Sequence, residues 1–146
     1  MNQAARYRIV TLMDRDEIAA LGASLRQIDR EILSQAKEGI TKVWFQGGEP
    51  YFDVVLELRE GKIEWFQFTL RGKSISWTPT FSCFQTGTTN ELQTSDLTFH
   101  PASKLIENNQ HQDEIFIELA RSILQSRAGE PIFDHMLALF DTQDSL

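Results

Sequence analysis

Apolar residues recur along this chain first at helical and then at strand spacing. Ile18, Leu21, Leu25, Ile28 and Ile32 follow one another at steps of three, four, three and four, which sets them on one stripe of a helix. Asp14 precedes the first turn and Glu17 stands three residues on, a pair resembling a capping box. Met13 and Ile18 are placed to staple that end. Gly39 supplies a left-handed stop. The spacing predicts a long N-terminal helix over about 14–38.

From Ile40 the pattern shortens to strands and tight turns. Ile40–Gln46, Tyr51–Leu58, Ile63–Leu70 and Ser74–Trp77 are rich in β-branched and aromatic residues. Between them lie Gly47-Gly48-Glu49-Pro50, Arg59-Glu60-Gly61-Lys62 and Arg71-Gly72-Lys73. Connections this short join only antiparallel neighbours, so the segment reads as a meander. Residues 86–112 read as a long polar loop in which Leu97–His100 could add a fifth strand. Helical spacing returns over 113–127 with Phe116, Leu119, Ala120, Ile123 and Leu124 on one side, and Gly129 follows. Pro131 opens a last helix that runs through Phe140. The expected architecture is a single α+β domain over 1–146. It comprises a long N-terminal helix, an antiparallel meander of four to five strands and two C-terminal helices, with frayed ends at about 1–6 and 141–146.

Strand register decides which side chains share a face. A two-residue turn at Gly48-Glu49 pairs Phe45 with Phe52 and Trp44 with Asp53. A three-residue loop at Arg59-Glu60-Gly61 pairs Leu58 with Lys62 and Val55 with Trp65. One face then carries Val43, Phe45, Phe52, Val54, Leu56, Leu58, Phe66, Phe68 and Leu70, a core face that the first helix would cover. The other carries Trp44, Gln46, Asp53, Val55, Glu57, Ile63, Trp65, Gln67 and Thr69. A three-residue loop at Leu70-Arg71-Gly72 adds Trp77 to this second face, opposite Trp65. A two-residue Arg71-Gly72 turn sends Trp77 to the core instead.

Composition narrows the function. The chain has 146 residues, 41% of them hydrophobic, with 14 Lys and Arg against 21 Asp and Glu, a formal net charge of −7. This is globular composition, and the acidic balance disfavours a nucleic-acid backbone as partner. No apolar run reaches the roughly 18–20 residues that span a bilayer, and the opening residues lack the apolar core of a secretion leader, so no membrane partner is expected. Cys83 is the single cysteine, which points to a cytoplasmic protein without disulfides.

Signatures of catalysis are sparse. Gly72-Lys73-Ser74 has the tail of a phosphate-binding loop, but Gln67 stands where its first glycine belongs and a strand follows instead of a helix. His100, His111 and His135 are scattered, so no metal and no cofactor is expected. Cys83 with His100, and the carboxylates Asp53 and Glu57 on one strand face, are the only groupings for nucleophilic or acid–base work. Arg59, Lys62, Arg71 and Lys73 make a basic rim at the hairpin ends that would suit an anion or solubilise edges.

A second face bearing two or three tryptophans is unusual for a solvated sheet. It would be covered by the C-terminal helices or by a second copy of the chain, or it would bind. The expectation is a non-enzymatic interaction protein with no catalytic residues. Its surface consists of Trp44, Gln46, Asp53, Trp65, Gln67 and Trp77, or of the Ile18–Ile32 stripe, and its partner is itself, as a homodimer, or another protein. The alternative is a small-molecule binder using the same Trp- and Gln-lined face. A hydrolase-type enzyme using Asp53, Glu57 or His100 ranks last.

Overall fold

Two hairpins closed by two-residue turns set the geometry of the sheet. In the computed structural model, which describes residues 14–28, 39–80, 83–89, 106–108 and 111–144, Glu60 and Gly61 have φ of 51° and 79°, and Arg71 and Gly72 have φ of 51° and 84°. Positive φ at both central residues is the type I′ arrangement, whose twist matches that of the flanking strands. The element order is α1 (Arg15–Ser24), β1 (Arg26–Gln27), β2 (Ile40–Gln46), β3 (Asp53–Arg59), β4 (Lys62–Leu70), β5 (Lys73–Trp77), β6 (Gln85–Thr89), β7 (Ile106–Asn108), α2 (Glu114–Gln125) and α3 (Pro131–Asp144). The strands lie in chain order in one antiparallel sheet. The α+β class and the meander are as expected. The strand count is not: among the described residues, six strands of three residues or more, plus the two-residue β1, replace the expected four to five.

The two added strands at the far edge fall within the stretch read as a polar loop. Gln85–Thr89 pairs with Lys73–Ser76, and Ile106–Asn108 pairs with Gly87–Thr89. Neither has an apolar period, so both owe their state to pairing with a neighbour. Residues 90–105, including Leu97–His100, and the N-terminal residues 1–13 lie outside the described residues.

The first helix is much shorter than predicted. Its N-terminus is as expected, with Asp14 Oδ1 accepting from Glu17 N at 2.8 Å, but it ends at Ser24. Leu25 turns extended and is buried in the core, and Arg26 and Gln27 pair with Gln46 and Phe45. The cause is tertiary. Arg127, from the turn after α2, donates through Nη1 to the carbonyls of Gly22 and Leu25 at 2.8 Å each. Its guanidinium also lies 4.5 Å from the Phe133 ring centroid. The Ile18–Ile32 stripe is therefore broken after Leu25, and residues 29–38 lie outside the described residues. At the other end of the chain, α3 continues through Asp144, so the expected frayed tail from 141 is mostly helical.

The three helices of the described residues pack on one face of the sheet. Phe133 meets Phe45 at 5.0 Å between ring centroids, Phe116 meets Phe68 at 5.9 Å, and Phe140 meets Phe66 and Phe84 at 6.0 and 4.6 Å. On α3, Phe133, Met136 and Phe140 are spaced three and four apart and are fully or almost fully buried. The C-terminal helices thus supply most of the cover expected from the first helix, which contributes Ile18, Leu21 and Leu25.

Candidate functional site

The sheet face turned away from the helices carries five of the six residues expected to form a binding surface. Cross-strand register sets them in rows. Gln46 stands opposite Asp53, Asp53 opposite Thr69, and Thr69 opposite Ser74. One row on, Trp44 faces Val55, Val55 faces Gln67, and Gln67 faces Ser76. Beyond it Lys42 faces Glu57, which faces Trp65.

Trp77 is the exception. Leu70 pairs with Lys73 across the two-residue turn, so Trp77 stands opposite Phe66 on the helix-covered face and packs against the core. Ile63 is likewise corrected. It pairs with Leu58, on the core side of a β-bulge that leaves Glu64 without a partner on β3. That bulge has a second effect. The β3–β4 hairpin closes with two residues where three were expected, which alone would flip β4. The extra residue restores the face of Trp65 and Gln67. The β4–β5 hairpin has no bulge, so there the shorter turn does flip the strand.

Exposure divides the face into two parts. Asp53, Val55, Gln67, Thr69 and Ser74 are buried, and Val55 is 1% exposed without belonging to the helix-side core. Trp44, Gln46, Lys42, Glu57 and Trp65 are half-buried. Trp44 is held in place, since its indole Nε1 donates to Asp53 Oδ1 at 2.9 Å. Thr69 Oγ1 donates to the carbonyl of Tyr51 at 3.3 Å. Tyr51 has φ of 62° in the third position of the Glu49–Phe52 turn, where Gly is usual, so the loop beside Asp53 is held in a conformation that costs about 1 kcal/mol. Lys42 Nζ lies 6.0 Å from the Trp65 ring centroid, at the outer limit of a cation–π contact. Sequence reasoning had missed Lys42, although its place two residues before Trp44 was the available signal.

Of the other expected groupings, the carboxylate pair stands apart. Asp53 and Glu57 lie four residues apart along β3, about 13 Å between their backbone positions, with Val55 between them on the same face. Cys83 is exposed, and His100 lies outside the described residues. His111, ahead of α2, and His135, on α3, are both exposed. Among the described residues no cluster of three His, Cys, Asp or Glu could hold a metal. The basic rim is largely engaged by acids. Arg59 bonds Glu64 at 2.9 Å and Lys73 bonds Asp113 at 3.3 Å. Arg71 grips both carboxylate oxygens of Glu49, at 2.8 and 3.0 Å, and reaches Glu17 at 3.3 Å. The hydrogen bonds from Arg71 hold the Glu49 carboxyl below the ordinary glutamate range, against a smaller opposing effect of burial.

Among the described residues no helix is long and apolar enough to cross a membrane. Comparison with protein-family models, curated proteins and solved structures finds no match to this chain.

Proposed function

We propose that the chain is a non-enzymatic interaction protein of the cytoplasm, and that the Trp44/Trp65 face of its sheet is where a partner protein sits. The observation that carries this reading is the half-exposure of two tryptophans on the face opposite the one on which the three helices pack. These rings are not part of the phenylalanine core, which lies on the other side. Tryptophan is the residue most enriched among those that dominate binding energy, and it serves best when its ring is already fixed in the free protein. The buried Asp53 fixes Trp44 in this way. Gln46, Glu57 and Lys42 around the rings supply the polar border that such surfaces carry.

A surface kept for a partner can be removed without loss of the fold, and this is the test. In dilute protein, Trp65→Ala is expected to cost below about 1 kcal/mol of unfolding free energy. Trp77→Ala, which opens a hole beside Phe66, is expected to cost about 2–4 kcal/mol. Equal and large costs, read from urea unfolding curves, would make Trp65 a core residue and end the proposal.

A further inference from the structure

We infer that the occupant of the Trp44/Trp65 face is a second copy of the chain, joined about a two-fold axis that sets Lys42 of each copy against Glu57 of the other. This inference rests on the reading of that face as an interaction surface and adds the identity of the partner. Two copies of a chain with a net charge of −7 repel one another over most of their surface. The end of the sheet face around Trp65 departs from that balance. Lys42, Arg59 and Lys62 stand there against Glu57, Glu60 and Glu64, so charges balance where the chain as a whole is strongly acidic. Asp53, the remaining acid of the face, is buried in the row beyond Trp44.

The signs are also interleaved. Lys42 and Glu57 are direct cross-strand neighbours, and Trp65 is the next residue across on the far side of Glu57. A two-fold contact requires a patch complementary to itself, with each contact made twice. A patch with a cation and an acid side by side satisfies this when the second copy is turned by half a revolution. A uniformly basic patch would select an acidic partner instead. The tryptophans then bury each other's exposed edges at the centre, and the Lys42–Glu57 contacts fix orientation at the margin.

The test is sedimentation equilibrium on the full chain and on Lys42→Glu, Glu57→Lys and the doubly exchanged variant, each checked for native far-UV circular dichroism. The wild type is expected to dimerise. Each single reversal should weaken association by about tenfold or more, because two attractive contacts become repulsive, and the double exchange should restore it. A wild type that stays monomeric into the millimolar range overturns the dimer, but leaves the interaction reading standing if acrylamide reaches Trp65 freely. A dimer indifferent to all three variants, with Trp65 equally quenched before and after dilution, places the contact elsewhere and overturns the inference, whereas a Trp65 that acrylamide does not reach at any dilution overturns the interaction reading as well.

Discussion

Replacing Gly22 by alanine opposes two effects of known size, and the structure decides the sign. Gly22 lies in α1, where alanine alone would stabilise the helix by about 1 kcal/mol. A Cβ at that position would stand 1.9 Å from Ser126 Oγ and 2.8 Å from the carbonyl oxygen of Ile123. The serine can rotate away, but only by giving up its 2.6 Å hydrogen bond to that carbonyl. The carbonyl itself belongs to α2 and cannot move alone, so the two helices must separate by a few tenths of an ångström. Separation also loosens the grip of Arg127 on the carbonyls of Gly22 and Leu25, and hydrogen bonds from a charged donor contribute about 1.5–3 kcal/mol each when intact. Overpacking of this kind costs about 1–3 kcal/mol, so the expected net effect is a loss of about 1–2 kcal/mol. Urea unfolding followed by circular dichroism measures it as a lower midpoint at unchanged slope. Adding Ser126→Ala should recover part of the loss, since the carbonyl clash remains. A Gly22→Ala variant more stable than wild type would refute the close approach of α1 and α2.

Two further perturbations probe the sheet. Asp53→Leu leaves the Trp44 indole without its acceptor and should cost about 1–3 kcal/mol in urea unfolding. Asp53→Asn, which keeps an oxygen in place, should cost less than half of that, and equal costs would show that the bond does not hold Trp44. Because the Glu49 carboxyl is lowered in the folded chain, its pairing with Arg71 contributes fully above the ordinary glutamate value of 4.5 and is lost as pH falls through the lowered one. Arg71→Gln should therefore differ from wild type by less than about 1 kcal/mol at pH 7, as both partners are partly exposed. The two should converge in acid, and a gap that widens as pH falls would contradict the assignment.

What could be read from the sequence divides along physical lines. Buried aromatic and aliphatic positions were legible because alternation in β2–β4 and helical spacing in α2 are strong local patterns. The end of α1 was not, because its cause is Arg127, about a hundred residues away in sequence; locally only Gly22 and Ser24, both poor helix formers, hinted at a weak stretch. Gln85–Thr89 had no pattern to read, since its strand state comes from pairing with β5. Turn length was the most consequential ambiguity. Gly61 and Gly72 fit either a two- or a three-residue loop. The bulge at Glu64 keeps β4 on its expected face despite the shorter turn, whereas the next hairpin has no bulge and turns Trp77 from the candidate surface to the helix-covered face. Five of the six expected surface residues kept their place because β2, β3 and β4 kept their faces.

The central claim is that Trp44 and Trp65 form a surface for a partner while Trp77, half-buried like them, packs against the core on the other face. It is tested most directly by acrylamide quenching of variants that each keep one tryptophan, with the other two replaced by phenylalanine, across a dilution series. The account predicts that the quenching of Trp77, which is half-buried on the helix-covered face, is the same at every concentration. Trp44 and Trp65 should be quenched readily in dilute monomer and become protected as the protein associates. A Trp65 whose quenching, like that of Trp77, stays the same as the protein associates would contradict the account, because the face would then take no part in the contact.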